Sequence, residues 1–231
     1  MKTNKIKLLI YTLIYLKPIQ IYYRIYYLIK NNFFIYIKHS DIDNPHLLIQ
    51  WENYLKPNNS YSIVNQSFTF LNIEHQLSNK INWNENKYGK LWTYNLNYFD
   101  FLNQNKMTKE IGLNLILDYI KNNEILIDGK EPYPLSLRGI NWVKFLSKSQ
   151  INNSIINRSL HNHYRILFKN IEYHLLGNHL LENAFSLLFG AYYFQDEKLY
   201  NKSKKFLITE LNEQILEDGG HFELSPMYHQ I

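Results

Sequence analysis

From Leu91 onward, apolar residues recur with the period of amphipathic helices, and short polar or glycine-containing segments separate them. One apolar stripe follows Thr108, which stands where a helix N-cap is expected, and comprises Ile111, Leu115, Ile116 and Tyr119. With it, the pattern predicts about six helices, near residues 91–104, 108–123, 136–148, 154–176, 178–195 and 196–216. The last helix is predicted to stop at the glycine turn Asp218-Gly219-Gly220.

Short loops between these helices predict antiparallel hairpins, because consecutive helices joined in this way fold back on each other. The predicted fold class is therefore all-α, either a bundle or part of an α/α toroid, and periodicity alone leaves both open. The sequence shows no repeat of fixed period, which disfavours a regular solenoid.

The sequence before Leu91 divides into two further zones, which gives three predicted regions: 1–38, 39–90 and 91–231. Residues 39–90 are rich in turn-forming residues, and 61–64 and 68–71 are predicted as short strands, so this region is a small mixed connector or cap. Residues 1–38 form a basic, aromatic helical arm that Pro18 bends or interrupts.

The arm starts like a signal peptide, but no small-residue cleavage site follows its apolar run at residues 8–16. Nine apolar residues are also too few to span a membrane, which takes about 20. Residues 18–38 instead predict an amphipathic helix that lies on the protein's own surface or on a membrane. Packing on the protein is favoured, with Tyr22, Tyr26 and Phe33 buried, and the expected location is cytoplasmic or peripheral to the inner membrane, with the periplasm left open.

The amino-acid composition limits the classes of partner that the chain could bind. The formal charge of +5 and the pI of about 9.0 suit an anionic partner, whereas the absence of any run of five basic residues gives nucleic-acid binding little support. The chain contains no cysteine, so it has neither disulfides nor a thiolate metal site. The 20 tyrosines suit sugar stacking as well as helix packing.

Three short stretches are polar where a packing helix need not be: EPYPLSLRGINW (131–142) and two motifs nearer the C-terminus. In GNHLLEN (177–183), Asn178 and Glu182 share one helical face with His179 beside them, although Asn178 is equally suited to cap the helix. In DGGHFELSPMYH (218–229), a glycine turn leads into a loop with Tyr228 and His229, whose proton donors and acceptors can be tuned toward neutral pH. A purely structural helix–turn joint is the alternative for this loop.

Together these motifs resemble the paired signature of the heparinase II/III-type polysaccharide lyases. EPYPLSLRGINW (131–142) and LWTYNLNYFD (91–100) are similar to upstream stretches of that family. The opening segment with KPIQ and YYR resembles the start of members from bacterial surface-polysaccharide gene clusters. The resemblance implies an incomplete α/α toroid followed by a β-sandwich, and β-elimination at a uronic acid.

The resemblance also implies roles for particular residues. Asn178 would bind and neutralise the uronate carboxylate, His179 would assist, and Tyr228 would act as general base, general acid or both. Arg138 and Asn141 would line the cleft and hold acidic groups of the substrate. This assignment is chemically coherent, because removing a proton next to a carboxylate builds enolate-like charge that needs donors already in place.

The other polar groups of the two motifs, namely Glu182, His221, Glu223 and His229, are further candidates for substrate binding. No cofactor or metal is expected, because His161 and His163 have no acidic third ligand nearby in the sequence. Since elimination needs both groups on one sugar ring, we expect the side-chain tips of Asn178 and Tyr228 to lie within ~10 Å of each other.

The chain ends at Ile231, whereas the family continues with further helices and a β-sandwich that usually supplies another catalytic residue. We therefore expect the N-terminal part of a lyase, weak or inactive alone, with a separately encoded C-terminal half as its partner. One alternative is a non-catalytic fragment that binds acidic glycan or a membrane surface. Another is a glycosidase that uses Glu182 and Glu223, which requires their carboxylates to be ~5–9.5 Å apart.

Overall fold

A computed structural model describes residues 2–32, 48–50, 59–77 and 80–225. Over these residues the chain forms eight α-helices and three strands, which confirms the predicted mainly helical class with a small mixed segment. The helices are α1 Lys2–Tyr15, α2 Pro18–Asn32, α3 Lys90–Tyr98, α4 Lys109–Lys121, α5 Pro132–Lys148, α6 Ser154–Lys169, α7 Asn178–Tyr193 and α8 Glu197–Gln214. The strands are β1 Tyr61–Ser62, β2 Ser67–Phe70 and β3 Ile73–Gln76, and short 3-10 turns cover Asp100–Asn103 and Asn123–Ile125.

The helices of the body pack around α5, and the antiparallel direction of consecutive helices stays a prediction. Helix α5 lies against α3, α6 and α7, and α7 pairs with α8. Trp142 of α5 is fully buried and meets Phe99 and Tyr119 edge-on at ring-centroid distances of 5.5 and 6.0 Å. The cap predicted at Thr108 is confirmed, since its side chain accepts a hydrogen bond from the Ile111 backbone N–H. Closure of this array into a toroid, and the division of the chain at residues 38 and 90, stay predictions.

The strands form an antiparallel meander in the order β1-β2-β3. Its inner face inserts Phe68 and Phe70 into the helical core, where Phe70 meets Trp92 edge-on at 5.2 Å. The second predicted strand ends one residue early because Leu71 and Asn72 take left-handed backbone conformations, with φ of 53° and 60°, and turn the chain into β3. Sequence reasoning missed β3, whose residues are mostly exposed.

The arm consists of α1 and α2, with the interruption at Pro18 as predicted. It packs on the body, but the predicted face is wrong: Tyr22 and Tyr26 are 63% and 40% exposed. Tyr23 and Tyr27, one position further along the chain, make the contacts instead. Phe33 lies outside the described residues. In the described part of the chain, no helix is both long and apolar enough to cross a membrane.

Two predicted helices are shorter than their sequence pattern indicated. α6 ends at Lys169 rather than near residue 176, and α8 ends at Gln214 rather than at the glycine turn. After α6 the chain leaves the helix at Asn170, and Ile171 and Glu172 are buried in the turn that follows. Both early endings place loops beside the first turn of α7.

Candidate active site

A cavity of about 360 Å³ opens beside the first turn of α7. Asn178 and His179 line it from α7, Glu223 and Phe222 line it from the loop after α8, and Lys17 lines it from the bend of the arm. Two of the predicted catalytic residues and one predicted binding residue therefore share one opening.

Gly177 determines how α7 begins. Its φ of 60° and ψ of −144° belong to a region that essentially only glycine adopts. A side chain there would also meet the neighbouring loop, because an added Cβ would lie 3.2 Å from Glu223 Oε1. Gly177 is the N-cap residue, and Asn178 is the first residue of the helix rather than its cap.

Asn178 is half-buried at the edge of the cavity. None of the residues that the structure describes makes a hydrogen bond to its side-chain amide. The start of a helix also carries partial positive charge from its unpaired N–H groups. The position combines an amide donor with a favourable field, which is a suitable environment for a carboxylate.

The ring of His179 contacts a buried acid, Glu172. Its buried Nδ1 lies 3.2 Å from Glu172 Oε2, close enough for a strong electrostatic contact but without the alignment of a hydrogen bond. The Glu172 carboxylate also accepts from Asn183 Nδ2 at 3.2 Å, and Asn183 Nδ2 donates in addition to Ser136 Oγ at 3.0 Å. Because the carboxylate faces Nδ1, the ring nitrogen left for chemistry is Nε2.

The loop after α8 is fixed by Gln214 and His221. Gln214 Nε2 donates to the Gly177 carbonyl at 2.9 Å, and its Oε1 lies 3.2 Å from His221 Nε2. The other His221 nitrogen, Nδ1, accepts from the Glu223 backbone N–H at 3.2 Å. A bridge between Ile215 and His221 closes the loop over its glycine turn. His221 is therefore a buried anchor that brings Glu223 next to Gly177, not a residue that lines the cavity.

Three tyrosine rings form a row that begins next to His179 and extends the candidate site. The ring of Tyr133 lies 4.6 Å from the His179 ring, Tyr98 lies 6.1 Å beyond it, and Tyr94 a further 6.3 Å on, measured between centroids. Burial raises the pKa of Tyr98, and burial together with the bond to Glu131 raises that of Tyr94 to about 12. Both phenols stay protonated near neutral pH, so this tyrosine row offers hydrogen-bond donors and ring faces rather than a base.

Arg138 and Asn141, predicted to line the cleft, are instead part of the scaffold. The Arg138 side chain is fully buried, and its Nη1 donates to the carbonyls of Asn97 and Gly129 at 3.0 and 2.9 Å. Asn141 is 6% exposed and donates to the Tyr98 carbonyl at 3.0 Å. Both side chains fix backbone next to the tyrosine row, and neither faces solvent.

Glu182 lies one helical turn beyond Asn178 and is buried. Burial raises the pKa of its carboxyl group to about 7. It is not among the residues that line the cavity with Glu223, so the two acids of the alternative glycosidase interpretation do not share that opening.

The remaining predicted groups are placed as follows. Tyr228 and His229 lie outside the described residues. His163 is buried, and burial holds its pKa well below the usual value, while burial also lowers that of half-buried His161. In the described ranges, no cluster of three or more histidine or acidic side chains is arranged to hold a metal ion.

Comparison with protein families gives one match: residues 137–231 match the family model described as the heparinase II/III N-terminus. The match covers 95 of the 231 residues, and this heparinase II/III segment is similar to the N-terminal part of that family. Comparisons with curated proteins and with solved structures found no similar chain.

The heparinase II/III segment contains both motifs that carried the resemblance, together with the whole sequence from Arg138 to His229. The arm, the β-meander and α3 precede it. Tyr94 and Tyr98 of the tyrosine row thus come from outside the matched segment, and Tyr133 lies four residues before it.

Sequence reasoning missed three residues that shape the site in the heparinase II/III segment or beside it. Glu172 was assigned to a continuous helix, and Gln214 was not singled out within the last predicted helix. Tyr133 stood inside a stretch singled out for its polarity, but no spacing rule connects it to His179. The sequence offered one signal for Glu172, namely an acid seven residues before His179, and this signal is weak by itself.

Proposed function

We propose that this chain is a polysaccharide lyase, or the N-terminal piece of one, that cleaves uronic-acid-containing polysaccharide by β-elimination. The observation that carries the proposal is the pairing of Asn178 and His179 at one cavity within a heparinase II/III segment. A carboxylate binder and a basic ring nitrogen on adjacent residues are suited to a substrate whose acidic proton is next to a carboxylate.

In the proposed reaction, Asn178 donates its amide N–H to the uronate carboxylate at the positive end of α7. This lowers the energy of the enolate-like charge that develops when the C5 proton leaves. The electron pair of the C5–H bond becomes the C4=C5 double bond, and the C4–O4 bond breaks. The leaving glycosidic oxygen takes a proton, and the products are an unsaturated uronate and a new free hydroxyl end.

Two groups are candidates to move these protons. His179 presents Nε2 because Glu172 faces its Nδ1, so Glu172 acts as a positioning residue. Tyr228 enters by the family resemblance, as base, acid or both. Glu223 also lines the cavity, next to Gly177, and would contact the hydroxyl groups of the sugar.

The tyrosine row supports an extended polymeric substrate. Tyr133, Tyr98 and Tyr94 follow one another from His179 at centroid spacings of 4.6–6.3 Å. Amphipathic phenols can stack on sugar faces and donate hydrogen bonds to sugar hydroxyls. We infer that neighbouring sugar units lie along this row while one uronate occupies the cavity.

The test is an elimination assay on several uronate-containing polysaccharides, with and without any separately encoded C-terminal half. The absorbance of the unsaturated product is followed. We expect turnover to be weak for the chain alone, to rise with the second half, and to fall about 10²–10³-fold in Asn178→Ala, as for loss of one donor to a developing charge. Asn201→Ala, an exposed asparagine on α8, is the matched control.

Two further variants separate the roles. Tyr228→Phe should abolish turnover, whereas Tyr192→Phe, a half-exposed tyrosine at the end of α7, should not change it. Glu172→Gln should lower kcat about 10–100-fold with little change in KM, because it misorients His179 without touching the carboxylate binder.

Three results would contradict the proposal. Products with ordinary reducing ends and no absorbance would favour the glycosidase interpretation. Binding of acidic glycan without turnover under every condition would favour a non-catalytic fragment. Equal loss of activity in Asn178→Ala and Asn201→Ala would show that the amide has no specific role.

A further inference from the structure

The positive charge of the chain is concentrated in the arm. The chain has 25 Lys and Arg against 20 Asp and Glu; residues 1–32 hold six of the basic residues and none of the acidic ones. The remaining 199 residues therefore have 19 basic and 20 acidic residues and are nearly neutral. Whatever anionic partner the net charge of +5 indicates, the arm is the part that would attract it.

One face of α2 is occupied by the body. Tyr23 stacks on Tyr173 with ring centroids 4.6 Å apart, Tyr27 donates its hydroxyl to the Ile171 carbonyl at 2.6 Å, and Lys30 donates to Asn170 Oδ1 at 3.0 Å. These side chains recur three or four residues apart, so they form one stripe along the helix. This stripe fixes the orientation of α2 on the protein.

The neighbouring face of α2 is apolar and exposed. It consists of five large side chains, each between 40% and 63% exposed, namely Ile19, Tyr22, Ile25, Tyr26 and Ile29. On α1, Leu8, Tyr11 and Ile14 are also more than half exposed. Arg24 is exposed on another face of α2, and on α1 the Lys7 ammonium group lies 5.9 Å from the Tyr11 ring centroid. A contiguous apolar surface of this kind is unusual on a soluble protein and indicates an interaction site.

We infer that this face of the arm binds the surface of an anionic lipid bilayer. Ile25 and Ile29 would enter the boundary between headgroups and acyl chains, and Tyr22 and Tyr26 would place their hydroxyls at headgroup level. The exposed Lys7 would face anionic headgroups, whereas Lys17 and Lys30 contact the body. The arm would lie in the interface, since none of the described helices can span it.

The positive charge of the arm favours a bilayer over a second copy of the chain as the partner that covers this face. Two copies that met through this face would bring together two arms that each hold six basic residues and no acidic residue of their own, with Lys17 already paired to Glu213 of the body. An anionic bilayer supplies the missing negative charge over a wide area, and each basic residue near such a surface strengthens binding about fivefold. The inference does not depend on the lyase proposal, because it uses no residue of the elimination chemistry.

The test is cosedimentation of the full chain with vesicles of phosphatidylcholine alone and of phosphatidylcholine with phosphatidylglycerol. We expect binding to the anionic vesicles, at least tenfold weaker binding to the neutral ones, and a steep fall in affinity between low and high salt. Ile25→Glu with Ile29→Glu should weaken anionic-vesicle binding by more than tenfold. Lys7→Gln alone should weaken it about fivefold.

Matched controls make the result specific. Val64→Glu with Ile127→Glu adds the same two charges at apolar positions of the body that are 92% and 79% exposed, and Lys205→Gln removes an exposed cation from α8; both should bind like the parent chain. Circular dichroism and thermal unfolding of each variant verify the fold. Equal binding to neutral and anionic vesicles, or unchanged binding of the double variant of the arm, would overturn the inference. So would a dimer, seen by sedimentation, that the double variant of the arm dissociates while vesicle binding stays unaffected.

Discussion

Glu182 offers a quantitative test of the packing around α7. Burial raises the pKa of its carboxyl group from the usual 4.5 to about 7, whereas the unfolded chain exposes it to water. Between these two pH values the folded state retains a proton that the unfolded state has lost. The free energy of unfolding therefore falls as the pH rises from 4.5 to about 7 and is flat, for this residue, on either side.

The shift of about 2.5 pKa units corresponds to about 3 kcal/mol, because one unit is worth 1.36 kcal/mol. Glu182→Gln replaces the protonated side chain with a neutral one of nearly the same shape. We expect the variant to match the parent chain at pH 4.5 and to exceed its stability by up to about 3 kcal/mol at pH 8. For a chain of this size that corresponds to roughly 6–12 °C in Tm.

The measurement is urea unfolding of both proteins at several pH values from 4.5 to 8.5. Comparing the two proteins cancels the contributions of every other titrating group. Glu217→Gln, at an exposed position after α8, should show no such pH-dependent difference. If the difference between Glu182→Gln and the parent chain is independent of pH, the carboxyl group is not buried as described and the reasoning fails.

Other substitutions test the scaffold. Gly177→Ala should destabilise the chain by about 1–3 kcal/mol, because its backbone conformation suits glycine alone, and urea unfolding measures this. Arg138→Met should cost roughly 3 kcal/mol by removing a buried donor from the Asn97 and Gly129 carbonyls; a loss of glycan affinity without loss of stability would restore the predicted binding role. Tyr27→Phe should leave the core stable but raise proteolysis within the arm severalfold, measured by limited digestion.

The helices were predictable where local signals and packing agree. Thr108 caps α4 because its hydroxyl meets an N–H three residues on, a pairing that depends only on local sequence. The pattern failed after Lys169, where apolar residues continue with helical spacing. There the chain leaves the helix so that the Glu172 N–H can donate to Asn183 Oδ1 at 2.9 Å, a contact that no short window of sequence reveals.

The face of the arm was unpredictable for a related reason. Tyrosines occupy positions 22, 23, 26 and 27, so two adjacent faces of α2 have the same residue at the same spacing. Periodicity cannot choose between them, and the choice is made by partners on the body such as Tyr173. In the candidate site, motif recognition brought out Asn178, His179 and Glu223, but it could not distinguish a lining residue from a buried anchor such as His221.

The bend of the arm links the attachment of the arm to ligand binding in the cavity beside α7. Lys17 pairs with Glu213 there and also lines the cavity that contains Asn178. A ligand whose acidic group drew Lys17 into the cavity would compete with Glu213 for it and loosen the arm's attachment. By thermodynamic reciprocity, anything that holds the arm in place must then alter the affinity of that ligand by the same factor. Because both partners of the pair are about half exposed, the factor is expected to be no more than about fivefold, a weak but mutual coupling.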